Sequence, residues 1–295
     1  MLSVLIPVYN YLVSDLVFEL HRQLIRSGVD FEILLLDDAS KKEFSLKNNQ
    51  QLQLNHVSYA IANQNAGRTK TRQILAQQAQ YDWLLFLDAD VIIKKKDFIA
   101  SYLEAINHPY DVIYGGFGYE ATDNKPDTEL RYLFGKKREE LDAQTRGKVP
   151  YKTITSANIL IKKEVFYIVN DLQENFYGLD YYLSVHLKRH HYKIKHLDNK
   201  VIHKGLESNL DFINKSKKAV ETLSYLKDQQ TFVNSDISLL KAYRKLERFK
   251  MTSLTSFFFS LSEKLLLKNL CSKNPSLFIF DIYRLGYFCS LNRKN

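Results

Sequence analysis

The sequence predicts an α/β fold with a mostly parallel central sheet and flanking helices, followed by a helical C-terminal extension. Three observations carry this expectation. Short apolar runs alternate with amphipathic stretches through the first 120 residues. Runs of that kind suit strands buried on both faces, and strand–helix alternation at this spacing favours parallel strands joined by right-handed crossovers. After Gly205, glycine and proline all but vanish until Pro275, a composition that suits long helices.

In order along the chain, "SVLIPV" (3–8) reads as a buried strand. In the next stretch Ser14 can cap a helix, Leu16, Leu20 and Leu24 share one face, and Gly28 can end it. "FEILLLDD" (31–38), "VSYAIA" (57–62) and "WLLFLDADV" (83–91) read as further strands, and "GRTKTRQILAQQA" (67–79) as a helix. Residues 119–152 turn polar and charged, with Arg131, Arg138 and Arg146 suggesting either a mobile loop or a solvated amphipathic helix. A strand-and-helix signal returns at 153–166, a helix at 179–190 and short strands at 192–203.

The chain has 295 residues, enough for one catalytic-size domain and an appendage. We expect a boundary between 1–205 and 206–295. The net charge of +9 is unevenly placed. Residues 1–203 hold 26 basic and 25 acidic side chains, and residues 204–295 hold 16 and 8. This distribution argues against a nucleic-acid-binding core and for a near-neutral domain with a basic attachment. Two cysteines, Cys271 and Cys289, cannot build a disulfide framework, which points to a reducing compartment. Met1 leads straight into an apolar run without a basic leader, so a cytoplasmic location is expected.

In parallel α/β sheets ligands bind beyond the C-terminal strand ends. Here those ends carry Tyr9–Asn10, Asp37–Asp38 and Asp88–Ala89–Asp90. Two carboxylates one residue apart at a strand end can share a hard divalent cation whose shell is completed by water and phosphate oxygens. They can equally make a solvated turn. A second acidic strand end, Asp37–Asp38, supplies acceptors of the kind a nucleoside base or ribose requires. In "NQNAGRTKTRQILA" a turn at Asn65 and Gly67 precedes a helix bearing Arg68, Lys70 and Arg72, where a phosphate could sit.

"IPVYN" (6–10), "DDAS" (37–40), Asn65–Ala66–Gly67 with Arg72, and "LFLDADV" (85–91) occur in the order and spacing of family 2 glycosyltransferases with the GT-A fold. The chain resembles that family over about residues 1–205. The resemblance implies an inverting transfer from a nucleotide-activated sugar, usually a uridine diphosphate sugar, with a divalent metal such as manganese or magnesium. It places Pro7, Val8 and Tyr9 around the base, Asp38 on the base, and Asn65, Gly67 and Arg72 about the nucleoside. Asp88 would face ribose or metal, and Asp90 would ligate metal. The family's general base falls in "NFYGLDYYL" (175–183), with Asp180 the best match and Glu174 a fallback, although Leu179 stands where a glutamate often does. His203 is expected on the metal or the diphosphate, and Asn158 on a sugar hydroxyl. Ordinary structural roles stay open for each: Asp180 as an acid favoured by a helix dipole, His203 as a structural histidine, and Asn158 at a capped strand edge.

Residues 249–289 mix aromatic clusters with lysine and arginine, as in Phe257–Phe259. Such a tail suits a helix on an anionic membrane surface, and it suits equally well packing on the catalytic domain or across a homodimer. The expected partners are a nucleotide sugar and a glycan or lipid-linked acceptor in surface polysaccharide synthesis, at the cytoplasmic face of the inner membrane. Two other functions compete. A nucleotidyltransferase would carry a glycine-rich phosphate loop after the first strand, which "IPVYNYLVSD" lacks. A silent membrane scaffold would have no use for the acidic pair.

Overall fold

The computed structural model describes residues 1–152, 154–171, 177–178, 180–232 and 235–292. The chain divides into two compact units. The first comprises residues 1–118, 140–175 and 186–205, and the second residues 119–139, 176–185 and 206–295. One of the breaks between the units falls at 205/206. Two inner segments, however, group with the C-terminal helices, because their apolar side chains find partners there rather than in the sheet.

The first unit is built on β1 (Leu2–Val8), α1 (Ser14–Ser27), β2 (Phe31–Asp37), α2 (Lys42–Gln51), β3 (Val57–Ile61), α3 (Arg68–Gln78), β4 (Trp83–Leu87), β5 (Val91–Ile92), α4 (Phe98–Ala105), β6 (Val112–Tyr114) and β7 (Phe117–Gly118). β1 and β4 are buried almost throughout, as their unbroken apolar runs require. α1 turns Leu16, Val17, Leu20 and Leu24 inward and ends at Gly28 in the left-handed conformation.

The second unit contributes α5 (Glu129–Phe134), and α6 (Ala143–Gly147), β8 (Asn158–Lys162) and α7 (Lys163–Val169) return to the first. α8 (Asp180–Arg189) begins in the second unit. β9 (Ile194–His196) and β10 (Val201–His203) complete the first unit, and α9 (Asn209–Leu226), α10 (Ser238–Arg248), α11 (Thr252–Leu270) and α12 (Leu277–Leu291) the second.

The main sheet has seven strands in the order β3-β2-β1-β4-β8-β6-β9. Its pairs are parallel except those of β8, which runs antiparallel to both β4 and β6. A small sheet, β5-β10-β7, lies beside the acidic end of β4 in sequence and pairs β10 antiparallel to β5. The four leading strands therefore bring the segments after residues 8, 37, 61 and 87 to one rim.

The second unit has its own apolar core of Leu130, Phe212, Ile213, Phe259, Leu270, Phe280 and Tyr283. Phe212 and Phe280 stack at 5.3 Å between ring centres. Four of the nine aromatic residues at 249–289, namely Phe259, Phe280, Tyr283 and Phe288, are buried and thus have a packing role. Two of the three arginines of 119–152 are buried rather than solvated, while Arg138 is exposed. Arg131 is 8% exposed, pairs with Glu139 and lies over the rings of Tyr119 and Phe212. Arg146, in the first unit, is 2% exposed, donates to the carbonyls of Leu141 and Leu197 and lies over the ring of Tyr114. Arg138 makes a two-pronged pair with Asp281 at 2.9 and 2.7 Å. A charged stretch reads as surface in a sequence, whereas a guanidinium given carbonyl, carboxylate and ring partners can be buried.

Candidate active site

Three loops of the first unit are tied together at the rim. β1 carries Pro7 and Val8 to its end, where Tyr9 stands 57% exposed and Asn10 takes a positive φ of 49°. The Asn10 side chain accepts from the Lys41 amide, and its own amide donates to the Ser40 hydroxyl, both at 2.8 Å. Asp37 is fully buried and accepts from the Ser40 amide and the Tyr59 hydroxyl. Burial and that bond raise the Tyr59 pKa well above the ordinary phenol range.

Asp38 is 5% exposed. Its two carboxylate oxygens accept from the amides of Ala66 and Gly67, at 2.6 and 2.8 Å, while its carbonyl accepts from the Asn65 side chain at 2.9 Å. Its first task is thus to clamp the turn at 65–67, a role that sequence reasoning missed. Gly67 adopts φ 83°, a backbone state costly for a residue with a Cβ. From that turn α3 starts directly with Arg68.

Arg68 and Arg72, one helical turn apart, converge on Asp88. Arg68 reaches one carboxylate oxygen at 2.5 Å, and Arg72 holds the other and also the Ser156 carbonyl. Arg72 is 4% exposed, whereas the Arg68 side chain is 47% exposed. Asp90 is held differently. β10 pairs with β5 so that His203 lies opposite Val91, which brings the His203 Nε2 within 3.3 Å of the Asp90 Oδ2. The Lys204 amide donates to the Asp90 carbonyl at 2.8 Å. Gly205 lies so close that a Cβ there would strike the Asp90 carboxylate. Burial pushes the Asp90 pKa up, but the hydrogen bond and charge of His203, with the charge of Arg68, outweigh it and leave the carboxyl below its ordinary value.

The expected metal set of Asp88, Asp90 and His203 is not gathered as one. Among the described residues no three of His, Cys, Asp and Glu come together in a metal-holding group. Asp88 is held instead by the two arginines. Asp90 and His203 still fit a divalent ion. The Asp90 Oδ1 is buried without a hydrogen-bond partner, a costly state for a carboxylate oxygen that a cation would relieve.

Asn158 is corrected outright as a sugar contact. It is fully buried, its amide donates to the carbonyls of Gly116 and Asn199 at 2.8 and 3.0 Å, and its oxygen accepts from the Tyr102 hydroxyl at 2.7 Å. A side chain with its donors and acceptor so occupied joins β8 to its neighbours and has nothing to offer a ligand.

The sequence profile described as "Glycosyl transferase family 2" matches residues 3–167, more than half of the chain. The chain belongs to glycosyl transferase family 2. No protein with a curated description matches it by sequence. Its fold is similar to that of a mannosyltransferase from Pyrobaculum calidifontis, solved with GDP-Man and Mn2+, at a TM-score of 0.53 and 12% identity over 78% of this chain. The match spans 65% of that protein, just under two thirds of its length. It is similar also to mannosyl-3-phosphoglycerate synthase from Rubrobacter xylanophilus, with a TM-score of 0.56 and 14% identity over 81% of this chain and 77% of that one. A third similar structure is glucosyl-3-phosphoglycerate synthase from Mycobacterium tuberculosis, solved with Mn2+, UDP and phosphoglyceric acid. There the TM-score is 0.52 and the identity 14%, over 76% of this chain and 78% of that one. The GT-A-like expectation for the fold stands.

This family 2 glycosyltransferase carries Asp180 as the first residue of α8, in the second unit. That helix start is anchored from the C-terminal helices. Arg284 on α12 donates to the Tyr181 hydroxyl at 2.7 Å, and Thr222 on α9 donates to the Tyr177 carbonyl at 2.8 Å. Neither anchor could be found from the sequence, because the contacts join residues far apart along the chain. Glu174 lies outside the described residues.

Proposed function

We propose that this glycosyltransferase moves a sugar, with inversion, from a nucleoside diphosphate donor, a uridine diphosphate sugar, to a hydroxyl of a glycan or lipid-linked acceptor. The observation that carries the proposal is the pairing of Asp90, with its buried unpartnered oxygen, and His203 on the rim where Arg68, Arg72 and the Gly67 turn also meet. The structural neighbours bound to manganese with GDP-Man or UDP support the same chemistry here.

Asp90 and His203 would hold manganese or magnesium, and the ion would supply positive charge to the departing diphosphate. Pro7, Val8 and Tyr9 border the base, with Asp38, Asn65 and Gly67 shaping the turn beside it. Arg72 and Asp88 lock α3 against β4, and the half-exposed Arg68, paired with Asp88, would add positive charge for phosphate oxygens. Asp180 takes the proton of the acceptor hydroxyl as its oxygen attacks the anomeric carbon and the nucleoside diphosphate leaves from the opposite face. A glycan or lipid-linked acceptor would fit surface polysaccharide synthesis at the cytoplasmic face of the inner membrane.

The test is a thermal-shift series of nucleotide sugars with and without manganese. At a hundredfold excess over Kd the right donor should stabilise the fold by about 2.7 kcal/mol. Absence of a manganese-dependent shift with every uridine diphosphate sugar would remove the proposal.

A further inference from the structure

The second unit buries one face of α11 and leaves the opposite face bare. Ser256, Phe259 and Leu270 point into the core, and Glu263, on the same side, accepts from the Tyr283 hydroxyl at 3.2 Å. Leu254, Phe257, Phe258, Leu261 and Leu265 recur at spacings of three and four, which gathers them within an arc of about 100° on the other side. Every one of them is at least half exposed, with Leu265 at 71%. A run of five large apolar side chains in one stripe differs from the scattered exposed residues that any surface carries.

The outward charges of α11 and those of the turn at 248–251 have one sign. Lys268 falls within the arc and Lys264 at its edge, both exposed. At the other end the chain enters α11 through an exposed turn in which Arg248 and Lys250 alternate with Phe249 and Met251. Glu263 is the helix's sole acid, and it faces inward. Among the described residues no helix is long and apolar enough to cross a membrane.

We propose that the outward face of α11, with the turn at 248–251, docks on an anionic lipid surface. The apolar stripe enters the headgroup region with the helix lying flat, and Arg248, Lys250, Lys264 and Lys268 meet the lipid charges. A second copy of this chain fits the stripe less well, since a two-fold contact would set the lysines of one α11 against those of the other with no outward acid on the helix to neutralise them. The proposal stands on the second unit alone, so vesicle binding and sugar transfer are independent readouts.

The experiment is co-sedimentation of the full chain with vesicles of phosphatidylcholine containing 30% phosphatidylglycerol (about one charged lipid in three, enough to attract a basic helix), and with pure phosphatidylcholine. The full chain should bind the anionic vesicles and lose them in high salt. Phe257→Ser with Phe258→Ser and Leu261→Ser should weaken binding at least about tenfold, with melting temperature unchanged because all three positions are exposed. Lys264→Glu with Lys268→Glu should weaken binding while leaving the apolar stripe whole. Failure of the full chain to bind, or equal binding by the serine variant, overturns the proposal. So does a full-chain dimer that the serine substitutions dissociate without vesicle binding in either form, since that result makes the stripe an interface between copies.

Discussion

Arg72 and Arg68 touch the same carboxylate from one helix, yet their substitution should have very different costs. Arg72 is 4% exposed and Asp88 18%, so Arg72→Met leaves a mostly buried carboxylate with one partner in place of two. Breaking a fully buried ion pair costs about 3–5 kcal/mol; Arg68 still holds Asp88 and some water reaches it, so the expected loss is about 2 kcal/mol. The Arg68 side chain is 47% exposed, and Arg68→Ala should cost less than about 1 kcal/mol. Trp83, the chain's one tryptophan, opens β4 and reports on the first unit, so urea unfolding followed by its fluorescence reads the relevant transition. Adding Asp88→Asn to Arg72→Met should recover part of the loss, because it removes the charge left behind. Equal costs for the two arginine variants, or no recovery in the double variant, would refute the assignment of Arg72–Asp88 as the lock between α3 and β4.

Two further expectations concern the base and the pH dependence. Asp180→Asn should leave donor affinity nearly intact and lower turnover by about 10²–10⁴-fold, and Arg284→Met should lower turnover by about tenfold through loss of its hydrogen bond to Tyr181; near-normal turnover in the first variant would move the base elsewhere. His196 is 7% exposed, with one ring nitrogen facing the Arg146 guanidinium and the other the Pro150 carbonyl. Burial, with the charge of Arg146, holds its pKa below 6.5 despite the Pro150 contact. The unfolded chain therefore takes up a proton first as pH falls through 6.5, and stability drops from there down to the lower folded value. His196→Gln should flatten that slope in denaturation curves between about pH 5 and 7, whereas an unchanged slope would assign it to other groups.

The parts of the fold legible in the sequence were those governed by local pattern. β1, β2, β3 and β4 fall within a residue or two of their apolar runs at one end or both, and the acids at 37–38 and 88–90 lie at strand ends as the runs implied. What was not legible depends on pairing at long range. Nothing in "TSANILIK" tells that β8 inserts antiparallel between β4 and β6, and that insertion is what buries Asn158. The acids at 88 and 90 look equivalent in sequence. They part company because α3 offers Asp88 two arginines, while the pairing of β10 with β5 delivers His203 to Asp90. The tail presented packing and membrane contact as alternatives, and α11 has an apolar face for each side, which a linear count of hydrophobic residues cannot separate.

The central claim is that Asp90 and His203 make the rim a manganese-assisted nucleotide site. Its most direct test is calorimetric titration of uridine diphosphate into the full chain and into Asp90→Ala, each with and without manganese. The account predicts that manganese strengthens nucleotide binding by the full chain and has no such effect in Asp90→Ala, although the variant stays folded. Manganese-dependent binding of equal strength in both proteins would contradict it.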